Sequence, residues 1–288
     1  MPIASSRSIW PLNLSFSSSK INKPFIPTHS SHLLCKNSHK NGVALYPSTV
    51  ADRVLMDIRN SGIIACLRAQ SAEVAIEAAR AALRGGILVL EVTMSTPGVF
   101  EVLQCLVHEY PWASIGVGTV LHREDAKNAL KIGAKFLMSP VMLKEILDDV
   151  AEGQALYIPG AMTPTEILFA SNAGAKIVKV YPVSALGAAA YIAEIKKPFP
   201  HIPLVASQGI TIDSVGQYIE NGASSVVLSD AIFEKKAMAQ RNFDRINQLA
   251  CLAASKADEA LRQEVVFLSA CRKPEACRKP EELAKRTM

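Results

Sequence analysis

Residues 177–182 read IVKVYP, a short apolar run of strand length that ends at a proline and contains one lysine, Lys179. Seven further apolar runs of similar length occur along the chain, and stretches of helical periodicity lie between them, about 20–25 residues apart. Apolar strands that alternate with helices indicate parallel strands buried on both faces.

This alternation defines the expected fold. Helices are predicted over residues 72–83, 97–109, 124–132 and 163–173, and strands over 62–68, 86–93, 114–120, 136–140, 155–161, 177–182, 203–210 and 224–233. Glycines fall between a helix and the next strand, where a left-handed C-cap is common. Eight units in about 200 residues predict a single-domain α/β protein, a (β/α)8 TIM barrel, with a doubly wound open sheet as the alternative.

The N-terminal segment differs in composition from the rest. Its first 51 residues are rich in serine and contain five basic and no acidic residues. This is typical of an organelle transit peptide, and the excess of serine over arginine favours the chloroplast; a disordered extension without a targeting role is the alternative. We therefore expect a transit peptide over residues 1–50, the barrel over 51–255 and a charged tail over 256–288, in which CRKPE occurs twice.

The composition excludes several classes of protein. With 49% hydrophobic and 20% charged residues, the chain can bury a core, and no apolar run reaches the roughly 18–20 residues of a membrane span. The net charge of +5 belongs to the N-terminal segment, since the remainder carries 26 basic and 26 acidic residues, so no nucleic-acid or membrane partner is predicted. The cysteines form no CxxC pair and the histidines are scattered, so no metal site is expected.

Active sites of such barrels lie at the C-terminal ends of the strands, and two charged residues stand there within apolar runs. Lys179 would lose hydration on burial, which lowers the pKa of an amine and yields the nucleophile that imine chemistry requires. Glu91, in the second strand, could be a general acid or base with a raised pKa. The alternatives are a lysine that reaches the barrel rim and a plain salt bridge between the two.

Other polar residues at strand ends are candidates for substrate binding. Arg68 could hold a substrate carboxylate in a bidentate manner, or could pair with an acid of a loop. Thr93, Thr119 and Thr163 could supply hydroxyl groups or cap helices. The run Gly116-Val117-Gly118 lacks the third glycine of a dinucleotide-binding motif, so that interpretation is rejected.

At these positions the chain resembles the class I 2-keto-3-deoxy-6-phosphogluconate (KDPG) and 4-hydroxy-2-oxoglutarate (KHG) aldolases. The resemblance runs from about residue 62 to residue 243, and its motifs occur in the family's order and spacing. They are ACLRA (65–69), LEVT (90–93), GVGTV (116–120), SP (139–140), IPGAMTPTE (158–166) and VKVYP (178–182).

The resemblance implies a (β/α)8 barrel that assembles as a homotrimer and uses no metal or cofactor. It implies that Lys179 forms an imine with the 2-keto group and that Glu91 transfers protons. It further implies that Arg68 and Thr119 hold the carboxylate of the pyruvoyl group and that Pro140 shapes the pocket. Ser95 stands where many members carry a basic residue, which places more of the carboxylate binding on Arg68.

The chain departs from the family at the phosphate site. Of the glycine-rich turns after the seventh and eighth strands, only Gly209 and Ser229 remain in place, and Ser207 beside them is a further binding candidate. Gln208 replaces a glycine, the glycines after the eighth strand are lost, and Asp230 adds a negative charge. We expect an aldolase that cleaves a 2-keto-4-hydroxy acid to pyruvate and an aldehyde, phosphorylated or not. The alternatives are a barrel that binds a 2-keto acid without turnover and another sugar-phosphate barrel enzyme.

Overall fold

A computed structural model describes residues 47–271 of the protein. Most of the expected transit peptide, residues 1–46, and most of the charged tail, residues 272–288 with nearly all of the CRKPE repeat, lie outside the described residues. Among those described, no helix has the length and apolar character needed to cross a membrane.

The centre of the fold is a parallel sheet. Its strands are β1 (Ile63–Leu67), β2 (Val89–Thr93), β3 (Ser114–Gly118), β4 (Phe136–Met138), β5 (Leu156–Ile158), β6 (Gly160–Ala161), β7 (Val178–Val180), β8 (Leu204–Ser207) and β9 (Ser225–Leu228). Their order is β5-β4-β3-β2-β1-β9-β8-β7-β6.

β5 and β6 together form one barrel strand interrupted at Pro159. β5 pairs with β4 on one side and β6 pairs with β7 on the other, which closes the sheet. Proline has no backbone N–H to donate to a ladder, which explains the break. Its carbonyl still accepts from the Lys179 amide at 2.8 Å. The (β/α)8 prediction is therefore confirmed, and the open doubly wound sheet is wrong.

Helices connect the strands around the outside of the barrel. They are α1 (Val50–Ser61), α2 (Ala72–Arg84), α3 (Val99–Glu109), α4 (Arg123–Ile132), α5 (Lys144–Asp149), α6 (Pro164–Asn172), α7 (Ala189–Lys196), α8 (Val215–Glu220), α9 (Lys235–Ala239) and α10 (Phe243–Cys271). Helix α10 runs through the position at which the charged tail was expected to begin. The strand expected over 224–233 ends earlier, because the Ser229 carbonyl accepts from the Ile232 and Phe233 amides in a turn.

Helix α1, which the sequence analysis did not predict, covers the N-terminal end of the barrel. The Asp57 carboxylate accepts a hydrogen bond from the Ser114 hydroxyl at the start of β3, at 2.7 Å. The Ala51 amide donates to the carbonyl of Gly153, just before β5. Since this end is closed by a helix, the opposite end, where the strands terminate, is left for a binding site.

The hydrophobic core forms two layers. The inner layer fills the barrel with the inward-facing side chains of the strands and with Val54 and Ile58 of α1. The outer, larger layer lies between the strands and the helices around them. Alternate residues of each strand face inward. Inward-facing residues near the carboxyl ends of the strands therefore lie above the inner layer, at the mouth of the barrel.

Candidate active site

Lys179 and Glu91 face the interior of the barrel from opposite parts of the sheet. In the strand register, Glu91 of β2 pairs with Cys66 of β1 and with Gly116 of β3. Lys179 of β7 pairs with Gly160 of β6. Lys179 is 6% exposed and Glu91 is 3% exposed, and the inner layer of aliphatic side chains lies below them. We call these two residues the buried pair.

Burial changes the acidity of both groups. The pKa of Lys179 is lowered, because loss of hydration outweighs the attraction of the Glu91 carboxylate. A lowered pKa increases the fraction of free amine, the form that attacks a carbonyl. The aromatic ring of Tyr181 lies 5.5 Å from the Lys179 Nζ, measured to its centroid. Lys176 is by contrast exposed and pairs with Asp52 of α1 at 2.5 Å.

The pKa of Glu91 is raised, again mainly by burial, while Lys179, the Cys66 thiol and Arg68 act in the opposite direction. A carboxyl group with a raised pKa can both accept and return a proton near neutral pH. No ion pair joins Lys179 to Glu91 within residues 47–271, and the two groups interact through charge at a longer distance. The alternative of a plain salt bridge is therefore not found.

Gly118 makes the position of the Glu91 carboxylate possible. A Cβ atom at Gly118 would collide with Oε1 of Glu91, so only glycine leaves room for the carboxyl group at the end of β3. Sequence analysis gave this residue no role. The available signal was the run Gly116-Val117-Gly118, in which glycine is unfavourable for a buried strand unless another group approaches the backbone.

Arg68 and Thr93 lie at adjacent strand ends and are connected through Ser95. The Arg68 Nε donates to the Ser95 hydroxyl at 3.1 Å, and the hydroxyls of Ser95 and Thr93 are 3.0 Å apart. The Thr96 hydroxyl accepts from the Ala69 amide at 3.3 Å and ties the loops after β1 and β2 together. Arg68 is exposed and Thr93 is buried, so the guanidinium lies at the mouth above the buried pair.

The three remaining candidates after β3, β4 and β6 have different surroundings. Thr119 is exposed and has a φ of 59°, which is uncommon for a β-branched residue. Pro140 is half-buried, and its carbonyl occupies the space that a side chain at Gly160 would need. Thr163 caps helix α6 in a capping box with Glu166, so its hydroxyl accepts from the Glu166 amide at 3.3 Å.

The ends of β8 and β9 form a separate, more exposed edge of the mouth. We call Gln208, Gly209, Ser229 and Asp230 the β8–β9 rim. Gln208 has a φ of 88° and Gly209 a φ of 73°. The Gln208 side-chain carbonyl accepts a hydrogen bond from the Ser184 hydroxyl. Ser207 is buried at the end of β8, and Asp230 pairs with Lys235 at 3.5 Å.

The fold thus places Lys179 and Glu91 within strands on the inner face of the barrel, and the other candidates at or just beyond the carboxyl ends of strands. Among residues 47–271, no group of three or more His, Cys, Asp or Glu side chains is assembled. The mouth contains an amine, a carboxyl group and hydrogen-bond donors. A closed barrel with a buried amine is the arrangement of a class I aldolase, the class of enzyme in which a lysine activates a ketone.

The chain belongs to the KDPG and KHG aldolase family, which matches residues 54–249. The KHG/KDPG aldolase of Escherichia coli K12 is 29% identical over 178 residues, 62% of this chain and 84% of that protein. The 2-dehydro-3-deoxy-phosphogluconate aldolase of Pseudoalteromonas atlantica is 31% identical over 183 residues, 64% of this chain and 85% of that protein.

Solved structures agree with this assignment. The KDPG aldolase of Legionella pneumophila, crystallised with pyruvate captured as a covalent carbinolamine intermediate, has a TM-score of 0.65 and 26% identity to this chain. The similarity covers 69% of this chain and 97% of that one.

Proposed function

We propose that the protein is a class I aldolase that cleaves a 2-keto-4-hydroxy acid to pyruvate and an aldehyde, with Lys179 as the imine-forming residue. The observation that carries the proposal is an amine of lowered pKa and a carboxyl of raised pKa in one barrel mouth. The named substrates of the relatives suggest 2-keto-3-deoxy-6-phosphogluconate or 4-hydroxy-2-oxoglutarate, which would give glyceraldehyde 3-phosphate or glyoxylate.

The reaction begins at Lys179. Its free amine adds to the C2 carbonyl, and the resulting carbinolamine loses water to give a protonated imine. The positive nitrogen withdraws electrons, so when the C3–C4 bond breaks its electron pair moves into an enamine. No metal ion is required for this step, because the imine stabilises the charge.

Glu91 moves the protons. As a carboxylate it accepts the proton of the C4 hydroxyl while the C3–C4 bond breaks and the aldehyde forms. It then returns a proton to C3 of the enamine, and water hydrolyses the imine to release pyruvate and the free amine. One group performs both steps because its pKa is raised towards neutrality by burial.

Arg68 and its neighbours hold the substrate carboxylate. The guanidinium is already oriented by Ser95, which is itself linked to Thr93, and its remaining N–H groups can donate to a carboxylate. Thr119 is the second candidate for this end of the substrate. Pro140 shapes the wall of the pocket, and Thr163, Ser207, Gly209 and Ser229 line its more distant parts.

Two further features complete the proposal. A homotrimer is supported by exposed apolar side chains on helix α6 and just before it, namely Met162, Leu168 and Phe169, of which Phe169 is 58% exposed. A chloroplast location is supported by the acid-free, serine-rich composition of the first 51 residues.

The test is an aldol-cleavage assay on the full-length chain. Each of the two substrates is supplied in turn, with a chelator present, and pyruvate release is measured through its reduction by a coupled dehydrogenase. We expect pyruvate from at least one substrate and no effect of the chelator. Absence of pyruvate from both, in protein shown to be folded, would contradict the proposal and favour a barrel that only binds 2-keto acids.

A further inference from the structure

Cys66 stands beside the proposed proton-transfer group. It lies on the inner face of β1, in register with Glu91 of β2, and packs against the inner layer of the core. Elsewhere in this layer the inward positions of the strands are largely filled by aliphatic residues such as Ile64, Val89 and Val205. The Cys66 thiol, which is level with Glu91 in the strand register, is therefore placed to interact with the Glu91 carboxylate.

Burial, together with the Glu91 carboxylate, keeps the Cys66 thiol protonated. Burial raises the pKa of the thiol well above its ordinary value, and the neighbouring Glu91 carboxylate raises it further, while Lys179 and Arg68 act in the opposite direction with less effect. A thiol that stays protonated is a hydrogen-bond donor rather than a nucleophile. The group it faces, Glu91, accepts hydrogen bonds when it is ionised.

We propose that Cys66 is a positioning residue, whose thiol donates a hydrogen bond to the Glu91 carboxylate and holds it for proton transfer. The proposal rests on the proposed function, in which Glu91 accepts the proton of the C4 hydroxyl. Gly118 leaves space for the carboxyl group on the β3 side, and Cys66 fixes it from the β1 side. A valine would be somewhat larger than the cysteine but would offer no donor.

The direction of the effect follows from the charge state that the thiol stabilises. A hydrogen bond to the ionised form lowers the pKa of a carboxyl group, and Cys66 has this effect on Glu91. When the donor is removed, one of the interactions that lower the Glu91 pKa is lost, so the pKa rises. As the pH falls, the carboxylate is then protonated earlier, at a higher pH than in the wild type, and can no longer accept a proton. Lys179 and Arg68 remain and keep their opposing effect.

The test is an infrared pH titration of the full-length protein, in which the band of the protonated carboxyl is assigned by its loss in Glu91→Gln. We expect Cys66→Val to raise the Glu91 pKa by about 0.5–1 unit, the shift that corresponds to one modest hydrogen bond. Cys66→Ser keeps a donor and should titrate like the wild type. Cys66→Ala replaces the valine variant should that one fail to fold, and Cys251→Ser on the surface of α10 is the control for loss of a thiol.

Coincident titrations of Cys66→Val and the wild type would overturn the proposal. So would an equal shift in Cys66→Ser, since packing rather than a donor would then be responsible. In the cleavage assay, Cys66→Val should lower kcat by up to about tenfold and leave KM unchanged. The acid limb of its pH–kcat profile should move to higher pH. Pyruvate release by the wild type is measured first, because its absence would contradict the proposed function. The infrared titration then tests separately whether Cys66 donates a hydrogen bond to Glu91.

Discussion

The buried pair and the β8–β9 rim occupy the same barrel mouth but are built differently. Lys179 and Glu91 are almost fully buried on the inner faces of strands, and their pKa values are shifted towards each other by burial. The rim is exposed, lies after the strands end, and contains a glutamine in left-handed backbone and an aspartate. We infer that the residues within the sheet carry out the cleavage of the C3–C4 bond, while the β8–β9 rim determines which substrates bind.

The largest effect is expected from removal of the amine. Lys179→Ala should lower pyruvate release to the background of the assay, because the amine proposed to form the imine is lost. Lys176→Ala is the matched control, since this lysine is three residues away and pairs with Asp52 at the closed end of the barrel. Wild-type activity in the Lys179 variant would remove the buried pair from the mechanism.

The next effect concerns the second member of the pair. Glu91→Gln keeps the size of the side chain but cannot accept a proton, so turnover should fall by about 10²–10⁴-fold. Imine formation with pyruvate should persist, because the Lys179 amine is retained and its pKa falls further without the carboxylate. Cleavage at the wild-type rate would show that another group transfers the proton.

A smaller effect is expected from the backbone that makes room for the carboxylate. Gly118→Ala would push Glu91 from its place, and a displacement of this kind costs about 10²-fold in turnover. Gly216→Ala in α8 is the control, because the nearest atom to its added methyl group is 3.8 Å away. Equal activity of the two variants would mean that the position of Glu91 is not decisive.

The smallest effect is expected at the rim. Gln208→Gly relieves a left-handed glutamine, removes its bond to Ser184 and opens the backbone amides. We expect kcat/KM for a phosphorylated substrate to rise relative to an unphosphorylated one by about tenfold, the lower end of the value of one hydrogen bond to a charged group. Gln154→Gly, an exposed glutamine before β5, should leave this ratio unchanged. An unchanged ratio in Gln208→Gly would mean that the rim does not select for phosphate.

The fold was predictable because each strand is a compact apolar run between helices. The interior of the barrel was not, since parallel strands are buried on both faces and show no alternation that separates inward from outward positions. Lys179 and Glu91 were found because a charge within an apolar run stands out. Gly118 and Cys66 carry no charge, and their importance follows from a register that only the folded sheet provides.

Helix α1 illustrates a second limit. Its sequence, VADRVLMDIRNS, is short and follows directly on the serine-rich segment, so no strand–helix alternation marks it. Its role becomes visible only through long-range contacts, such as Asp57 with Ser114 and Asp52 with Lys176. The contact between Ser184 and Gln208 at the rim is of the same kind.

The central claim, that Lys179 forms the imine, is tested most directly by borohydride reduction of the full-length protein in the presence of pyruvate, followed by peptide mass spectrometry. We predict a reduced pyruvyl adduct on Lys179, with none on Lys176 and none in Lys179→Ala. Folded wild-type protein that gives no adduct, or an adduct confined to another lysine, would contradict the account.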